Sequence, residues 1–345
     1  MDDQLSRRPG DAWDRYLHDI RPDIGFMQSS WWAAFLADRG WDNFGIVFRD
    51  GDDIVGGGRV LTRFFADDAC YFYMPEGPVL PDDAADARQI FEATIAHIER
   101  RRAQDPHRVS HLRLEPRWHH RPDFVRGFRA AGSWLEPRHT LHIDLAPTPS
   151  DILAQMKPKG RYNIGLARRR GVDIVEDMSP KGRTDFLDIY QDTMSRHGLS
   201  GKREGYLRDL LDILDRANSG TLLFAEYEGE RVATLMMVYF GDRATYFFGG
   251  SLSIHRHCMA PYLLHFEAMS MARSRGHRWY DFYGIAPPDQ PQHRLADIST
   301  FKNKFGGHPQ SFVPALDLIF DAAAYEEYRG RKSQRRKTPM TDRSR

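Results

Sequence analysis

The sequence predicts an α/β protein of the α+β kind, with two similar domains that each contain a mixed, largely antiparallel sheet. Three observations support this fold class. The chain has 345 residues, which is more than a single hydrophobic core usually organises. One order of elements, strand–strand–strand–helix–strand, occurs twice along the chain. Each copy begins with two apolar strands joined by a tight turn, as antiparallel hairpins do.

The repeated order follows from apolar patterns and turn residues. The first copy consists of FGIVFRDGDDIVGGGRVLTRF, ACYFYMPEGPVL, ADARQIFEATIAHIERRRA and VSHLRLEP. The second consists of LLFAEYEGERVATLMMVYF, RATYFFGGSL, PYLLHFEAMSMARSRG and RWYDFYGI. The hairpin turns fall at Asp50-Gly51 and Glu228-Gly229. This self-similarity indicates an internal duplication, and the lack of a long heptad segment predicts a protein without a coiled-coil arm.

The domain boundary is predicted near LAPTPSD, where Pro147 and Pro149 interrupt regular structure and Ser150-Asp151 can cap a helix. We therefore expect a first domain over residues 1–148 and a second over 149–309. Helical patterns precede each repeat, SWWAAFLADRG before the first, and DILAQMKPKGRYNIGLARRRG with DFLDIYQDTMSRHG before the second. The final segment, 329–345, holds eight Lys/Arg and one Asp, a composition typical of a disordered basic tail.

Composition restricts the function classes. Apolar residues make up 41% of the chain, yet no apolar run approaches the ~18 residues that suggest a membrane span. The N-terminal sequence MDDQLSRRPGDAWDRY lacks the apolar core of a signal peptide. The two cysteines have no CxxC spacing, which fits a reducing compartment. These observations predict a cytoplasmic protein without an integral membrane segment.

The sequence lacks several common catalytic motifs. His119-His120 and the pair His255 and His257 have no third ligand at a suitable spacing, so no metal site is predicted. Neither a G-x-S-x-G nucleophile elbow nor a P-loop is present. The segment KPKGRYNIGLARRR (157–170) holds six Lys/Arg and no acid. Such a run fits a solvated face, or a nucleic acid or polyphosphate ligand.

The order of strands and helices resembles the N-acetyltransferase (GNAT) fold, used twice. A typical acetyl-CoA enzyme of that fold has an R/Q-x-x-G-x-G/A turn before its main helix, where backbone N–H groups hold the pyrophosphate. The corresponding places here read VLPDDAAD and HRHCMAPY. Because neither has glycines where the phosphates would lie, acyl-CoA is disfavoured and no cofactor is predicted.

A more specific resemblance is carried by ordered pieces: QSSWW, LRLEP, MKPKGRYNIGLARRRGV, SRHGLSGKREGYL, a GGS followed by APY, and YDFYGI followed by FKNKFGG. With these pieces the chain resembles, over most of its length, the FemABX family of aminoacyl-tRNA-dependent peptidyltransferases. Members transfer an amino acid from a charged tRNA to the amino group of a peptidoglycan precursor, without a metal or CoA. The resemblance implies two GNAT-like domains, with residues 310–328 returning to complete the first.

The resemblance implies that Lys302 in FKNKFGG is catalytic. Transfer from an ester to an amine passes through a tetrahedral oxyanion, and a fixed cation near that oxygen lowers the barrier. The lysine of the family's FK motif matches Lys302, whereas Lys304 is expected to contact substrate phosphate. Phe301 and Phe305, at i,i+4 spacing, would hold the lysine stem. On spacing alone, a short amphipathic helix with two solvated lysines remains the alternative.

The resemblance also implies an acceptor site. A pyrophosphate-linked acceptor needs cations, and the best matches are Lys202 and the adjacent Arg203. Tyr206 would support the same pocket by stacking or hydrogen bonding. Glu115 of LRLEP would orient the acceptor amine or take its proton. The alternatives are a basic loop between two helices, and a glutamate that only ends a strand before proline.

Two further tyrosines and two substitutions concern the same acceptor. Tyr246 and Tyr262 match aromatic positions of the second domain's cleft, with a buried core tyrosine as the alternative for at least one of them. In the family, the helix after Gln28 often carries lysine where it meets the phosphates. Here Ala34 and Leu36 stand at the corresponding positions. This departure brings other acceptors into consideration, such as a small peptide or an antibiotic intermediate.

The implied donor is aminoacyl-tRNA, whose phosphates and 2′-hydroxyls are recognised chiefly by charge and shape. The candidate tRNA-binding residues are Arg161, Arg168, Arg169 and Arg170. Because three consecutive arginines point in three directions from a helix, the last three cannot all contact one ligand.

The leading hypothesis is therefore tRNA-dependent transfer of an amino acid to the amino group of a peptidoglycan precursor or related peptide. The partners would be aminoacyl-tRNA and the amine acceptor, with peripheral contact with the inner membrane face left open. The alternatives are an acyl-CoA-dependent N-acyltransferase, tRNA-dependent aminoacylation of an antibiotic intermediate, and a degenerate fold that binds a partner without catalysis.

Overall fold

The computed structural model describes residues 12–198 and 201–337. The chain divides into two compact units. The first contains Met27–Glu136 together with the described residues up to Leu17 and from Phe312 onward. The second contains His18–Phe26 and Pro137–Ser311.

The helices, in chain order, are α1 (Ala12–Asp19), α2 (Ser30–Ala37), α3 (Ala84–Ala103), α4 (Pro149–Gln155), α5 (Pro158–Arg169), α6 (Pro180–Arg196), α7 (Glu204–Arg216), α8 (Ala260–Ser274), α9 (Ala296–Lys302) and α10 (Ala322–Lys337). The strands are β1 (Asp42–Asp50), β2 (Asp53–Ala66), β3 (Ala69–Pro75), β4 (Arg108–Glu115), β5 (Arg129–Ala130), β6 (His139–Asp144), β7 (Asp173–Glu176), β8 (Gly220–Tyr227), β9 (Glu230–Phe240), β10 (Arg243–Ser251), β11 (Trp279–Gly284), β12 (His308–Ser311) and β13 (Leu316–Ile319). Among the described residues, no helix combines the length and the apolar character that crossing a bilayer requires.

The first unit contains a six-stranded sheet in the order β1-β2-β3-β4-β13-β5. Only β3 and β4 are parallel, because α3 connects them, and the other pairs are antiparallel. The apolar core of this unit includes Phe72 on β3, Phe91 on α3 and Leu114 on β4. This is a mixed, largely antiparallel sheet, as predicted.

The second unit contains a seven-stranded sheet in the order β12-β6-β11-β10-β9-β8-β7. Here β10 and β11 form the parallel pair, with α8 between them in the chain. The core includes Leu235, Phe266 and Phe282. The order β8–β9–β10–α8–β11 therefore repeats β1–β2–β3–α3–β4, and the predicted fold class, a duplicated GNAT-like unit, is confirmed.

A buried ion pair joins β13 to β4 in the first unit. Arg113 donates from Nε and Nη2 to the two carboxylate oxygens of Asp317, each at 2.8 Å. Tyr325 donates to the same carboxylate at 2.7 Å, and Tyr328 accepts from Arg113 at 3.0 Å. Burial opposes the charge of Asp317, but Arg113 outweighs it and lowers the pKa of that carboxyl. Removal of one partner would leave a buried charge, which is strongly destabilising.

The basic C-terminal segment differs from its prediction where it is described. Helix α10 continues to Lys337, so residues 329–337 are helical, and the expectation of a disordered tail was wrong for them. Glutamates one turn earlier supply the reason: Arg329 pairs with Glu326 and Arg331 pairs with Glu327, each at 3.0 Å. Such i,i+3 and i,i+4 pairs stabilise a helix. Residues 338–345 lie outside the described residues.

Helix α5 packs closely against the segment that contains Lys302 and Lys304. The backbone N–H of Lys157 donates to the carbonyl of Lys304 at 3.1 Å. A Cβ at Gly160 would lie 2.4 Å from that same carbonyl oxygen, which is too close for any other residue. Gly160 therefore permits the contact that fixes α5 beside this segment.

We expect Gly160→Ala to lower the free energy of unfolding by about 1–3 kcal/mol, because the backbone of α5 or of residue 304 must move. The measurement is urea-induced unfolding. The matched control is Gly165→Ala in the same helix, where the added Cβ would lie 3.2 Å from Nη1 of Arg169, the end of a flexible side chain. Helix propensity favours alanine there by about 1 kcal/mol. Equal effects of the two substitutions would contradict the packing role of Gly160.

Candidate functional site

The candidate site is built around an irregularity at the end of β11. The register between β11 and β6 shifts between Asp281 and Gly284, which marks a β-bulge. Tyr283 within it has φ 59°, a left-handed conformation that is uncommon for an aromatic residue. Bulges redirect backbone and side-chain groups and are frequent beside active sites.

Lys302 is the last residue of α9, and its amine binds to the bulge. Nζ donates to the carbonyl oxygens of Phe282 and Gly284, each at 2.7 Å. The side chain is buried, with 4% of its surface exposed. An ammonium has three hydrogens, and the described residues accept two of them. One hydrogen is therefore available to a further acceptor.

Aromatic rings enclose the Lys302 amine. Nζ lies 5.5 Å from the ring centroid of Tyr246, within the range of a cation–π contact. His265 contacts Tyr246 at 4.6 Å and Phe282 at 4.9 Å between ring centroids. Tyr262 packs against Phe301 at 5.1 Å and Phe305 at 5.7 Å. The structure thus brings Lys302, Tyr246 and Tyr262 into one cluster.

This enclosure determines the protonation of the site. Burial lowers the pKa of Lys302 to about 7, although the nearby charge of Asp281 raises it. Burial, together with the charge of Lys302, lowers the pKa of His265 to about 3. Burial raises the pKa of Tyr246 to about 12. Near neutral pH, the histidine and tyrosine are therefore neutral, whereas Lys302 exchanges readily between ammonium and amine.

Lys304 lies two residues beyond Lys302 and is partly buried. Its carbonyl accepts from Lys157, as described above, so its backbone joins α9 to α5. The following Gly307 has φ 85°, and a Cβ there would lie 2.5 Å from the carbonyl oxygen of His142. Gly307 thus permits the backbone that follows Lys304 to lie close to β6.

Lys202, Arg203 and Tyr206 lie around the N-terminus of α7. Lys202 Nζ sits 4.8 Å from the ring centroid of Tyr206, and the Lys202 N–H donates to the hydroxyl of Tyr190 at 3.0 Å. Arg203 is the N-cap residue of α7. Leu199 and Ser200 of the same motif lie outside the described residues. The three predicted acceptor residues are therefore neighbours.

The predicted tRNA-binding arginines point in different directions. Arg161 donates to the carbonyls of Ala154 and Met156. Arg168 pairs with Glu267 at 2.8 Å and lines an open surface groove of about 330 Å³.

The last two arginines also make contacts that differ from each other. Arg170 donates to the carbonyl of His257, whereas the guanidinium of Arg169 lies 5.9 Å from the ring centroid of Tyr162. Tyr162 is 61% exposed. Only Arg169 of the four thus lies with an exposed aromatic ring on the outer face of α5.

Glu115 lies in the first unit, at the end of β4. Its carboxylate accepts from Tyr73 at 3.0 Å and from the backbone N–H groups of Leu135 and Glu136 at 2.8 and 2.9 Å. Burial raises the pKa of this carboxyl, although the two backbone hydrogen bonds oppose the shift. These contacts hold the segment after β5 in place.

The helix N-termini where a GNAT enzyme holds pyrophosphate differ from that pattern. At α3, the carboxylate of Asp83 accepts from the N–H groups of Ala85 and Asp86 at 2.8 and 3.0 Å. An anion already occupies these donors. At α8, the N-cap residue Met259 has φ 57°, and no side chain caps the helix. Leu36 of α2, one of the two residues at positions where a phosphate-binding lysine was expected, is buried.

Within the described parts of the chain, no group of three or more His, Cys, Asp and Glu side chains is arranged to bind a metal ion. His255 instead lies 3.2 Å from a carboxylate oxygen of Glu230.

Sequence reasoning missed three residues behind the bulge. Asp281 is fully buried, and one of its oxygens accepts from the N–H of Tyr283 at 2.7 Å. Thr140 donates to the same carboxylate, and His142 Nε2 lies 3.3 Å from its other oxygen. The only sequence signal was an aspartate inside the apolar strand pattern RWYDFYGI, since a buried acid normally needs partners.

The fold of the chain is similar to that of several solved structures. A crystal structure of FemX matches with a TM-score of 0.85 and 14% identity, and covers 95% of this chain and 99% of that chain. The C-terminal domain (DUF2156) of a putative lysylphosphatidylglycerol synthetase from Agrobacterium fabrum matches with a TM-score of 0.54 and 14% identity, over 90% of this chain and 94% of that one. A tandem GNAT protein from the clavulanic acid biosynthesis pathway matches with a TM-score of 0.50 and 14% identity, over 81% and 83%. At such identities these matches show the fold alone.

Among curated proteins, none matches this sequence. The model of the FemAB family matches residues 124–228 and 220–330, which together span more than half of the chain. The resemblance inferred from the motifs is thereby confirmed, and the chain belongs to the FemAB family.

Proposed function

We propose that this protein transfers an amino acid from aminoacyl-tRNA to the amino group of a peptidoglycan precursor or a related peptide, and forms an amide bond in the cytoplasm. FemAB membership supports a peptidoglycan-related aminoacyltransferase at the family level. The proposal adds the tRNA donor and the roles of individual residues. The observation that carries it is Lys302, held in the bulge with one hydrogen available.

In the proposed reaction, the acceptor nitrogen attacks the carbonyl carbon of the aminoacyl ester. The carbon–oxygen bond to the tRNA ribose then breaks, and the ribose oxygen leaves with the proton lost by the amine. The negative charge that forms on the carbonyl oxygen is stabilised by the free hydrogen of the Lys302 ammonium. Because two carbonyls and the surrounding aromatic rings already fix the Lys302 ammonium, it needs little reorganisation when that charge develops.

The remaining predicted residues enter the proposal as binding groups. Lys202, Arg203 and Tyr206 bind the phosphates of the acceptor around the start of α7, and Lys304 contacts phosphate beside Lys302. Tyr246 and Tyr262 shape the enclosure around the amine. The satisfied carboxylate of Glu115 favours a role in shaping the first unit, with the acceptor amine oriented by the backbone segment that it holds.

The outer face of α5 supports the tRNA donor. Tyr162 and Arg169 lie seven residues apart, on one ridge of the helix. An exposed ring beside a guanidinium is a surface on which an unpaired base can stack, and Lys159 is also exposed. By contrast, the guanidinium groups of Arg161, Arg168 and Arg170 bind segments next to α5. They add positive charge but are not positioned to stack on a base.

An acyl-CoA-dependent transfer is the competing enzyme function. Asp83 argues against it, because its carboxylate occupies the donors that a pyrophosphate would need in the first unit. Aminoacylation of an antibiotic intermediate would use the same donor and the same Lys302 chemistry, with another amine as acceptor. The substrates supplied in the assay distinguish these two alternative functions from the proposed one.

We expect Lys302→Met to abolish most of the transfer, by about 10²-fold or more in kcat, since loss of one oxyanion donor commonly costs that much. The assay follows deacylation of charged tRNA together with formation of the new amide. Lys304→Met is the comparison, because loss of its proposed phosphate contact should raise KM for the acceptor and leave kcat nearly unchanged. Wild-type turnover by Lys302→Met would refute the catalytic assignment, and an absence of transfer by the wild type with any charged tRNA would refute the function.

The stability of the protein should also report the buried amine. The folded pKa of Lys302 is lowered from 10.5 to about 7, so between these values the unfolded chain binds more protons at this site than the folded chain. Stability contributed by this site therefore rises with pH across that window, by at most about 1.4 kcal/mol per pH unit. The difference in unfolding free energy between the wild type and Lys302→Met, measured in urea, should show this slope. A difference that does not change with pH would mean that the pKa is not lowered.

Substitutions on α5 should weaken tRNA binding. We expect Arg169→Ala and Tyr162→Ala each to reduce the affinity for uncharged tRNA, with Tyr162→Phe close to the wild type because the ring is kept. Loss of one base stack costs about 1–3 kcal/mol. Arg169→Ala should in addition reduce the salt dependence of binding. The control is Arg100→Ala, an exposed arginine of α3 in the other unit. Equal losses in the control and in Arg169→Ala would indicate nonspecific charge only.

A further inference from the structure

The strand motif YDFYGI contains an acid that the proposed reaction does not use. Asp281 is completely buried on β11, in an apolar core where an unneeded charge would be costly. Its carboxylate accepts from the backbone N–H of Tyr283 and from the hydroxyl of Thr140, and the imidazole Nε2 of His142 lies 3.3 Å away. A regular strand would need no carboxylate at this position. The bulge therefore accounts for the buried acid.

We propose that Asp281 is a positioning residue for Lys302: its carboxylate forms the bulge whose two carbonyls bind the amine, and its charge keeps that amine protonated. The inference rests on the proposed function for its effect on turnover. It adds a residue that touches no substrate and acts only through Lys302.

The backbone geometry carries the first half of the proposal. One oxygen of Asp281 accepts from the N–H of Tyr283 at 2.7 Å, two residues later in the chain. Aspartate commonly forms such a local turn with its own backbone. The bond favours the left-handed conformation of Tyr283, with φ 59°, in which the chain leaves the regular ladder. Thr140 Oγ1 also lies 3.0 Å from the Tyr283 carbonyl and fixes the turn from β6.

The consequence is visible at the amine. Because the strand bulges at Tyr283, the carbonyls of Phe282 and Gly284 on either side of it both point to Lys302 Nζ, which donates a hydrogen bond to each. A regular strand would direct carbonyls of this kind into its ladder with a neighbouring strand. The left-handed tyrosine is a local strain of the sort that concentrates at functional sites.

The charges around Lys302 carry the second half. The titratable groups that face its amine are Tyr246 on β10, His265 on α8 and Asp281 on β11, with His142 on β6 behind the aspartate. With pKa values of about 12 and about 3, Tyr246 and His265 are neutral near pH 7. Asp281 is therefore the group whose negative charge favours the ammonium, against the burial that opposes it.

The test uses Asp281→Asn, which keeps an oxygen able to accept from Tyr283 but removes the charge. Lys302 acts as a cation, so transfer should fall as pH rises through its pKa. In Asp281→Asn this fall should move to lower pH by about one unit, while KM for the acceptor stays within about twofold. A lower rate with an unmoved pH profile would assign Asp281 to the fold alone and overturn the proposal.

Thr140→Val is the companion variant, because it disturbs the turn but leaves the charge. It should reduce kcat by about tenfold through displacement of the amine, without moving the pH profile, and Thr140→Ser should restore activity. If Thr140→Val moves the profile as far as Asp281→Asn does, charge and geometry are not separable as proposed, and the assignment fails.

A second readout does not depend on turnover. The coupling between Asp281→Asn and Lys302→Met in unfolding free energy is measured by a double-mutant cycle. It should be favourable below the Lys302 pKa of about 7 and fade above it. Such coupling in a protein that transfers nothing would refute the function and keep the interaction. Its absence in a protein that transfers amino acids would refute the inference and keep the function.

Discussion

The second unit depends on one interaction, the binding of the Lys302 ammonium by two backbone carbonyls at a bulge. Three constraints converge there. The bulge breaks the ladder between β11 and β6 and exposes carbonyls that a buried strand cannot leave unpaired. The lysine satisfies them, and its own charge is in turn supported by Asp281. In the buried core, the bulge carbonyls, the Lys302 ammonium and the Asp281 carboxylate would each be energetically unfavourable without the other two.

The aromatic residues around the amine give this interaction its chemical character. Desolvation by the rings brings the pKa of Lys302 to about 7, while the same desolvation keeps His265 and Tyr246 neutral. A donor in such surroundings acts on a developing negative charge more strongly than a lysine in water, because the local dielectric is low. The enclosure also explains why two phenylalanines flank the lysines in FKNKFGG, since both rings contact Tyr262.

The two units share an order of strands and helices but use different polar cores. In the first unit the buried acid Asp317 pairs with an arginine in a bidentate salt bridge and two tyrosines complete the network. In the second unit the buried acid Asp281 accepts hydrogen bonds from a backbone turn and a threonine, with a histidine nitrogen 3.3 Å away. The duplicated fold thus supplies equivalent strands, and the side chains placed on them decide whether a buried charge stabilises the sheet or shapes a site.

Local patterns in the sequence determined the duplicated order, the hairpins, the connecting helices and the family, because these follow from period, turn residues and motif spacing over short distances. They also carry the family resemblance from which the prediction for Lys302 was made. They did not reveal the short strands β7, β12 and β13, whose pairing partners lie far along the chain or carry weak patterns. Nor did they show that Arg161, Arg168 and Arg170 hold α5 to its neighbours, that Glu115 is satisfied by Leu135 and Glu136, or that residues 329–337 form a helix. Only the tertiary structure decided the bulge at Tyr283, the burial of the lysine and the contacts of Asp281, since each depends on groups from β6, β10, β11, α8 and α9 that meet only when the chain is folded.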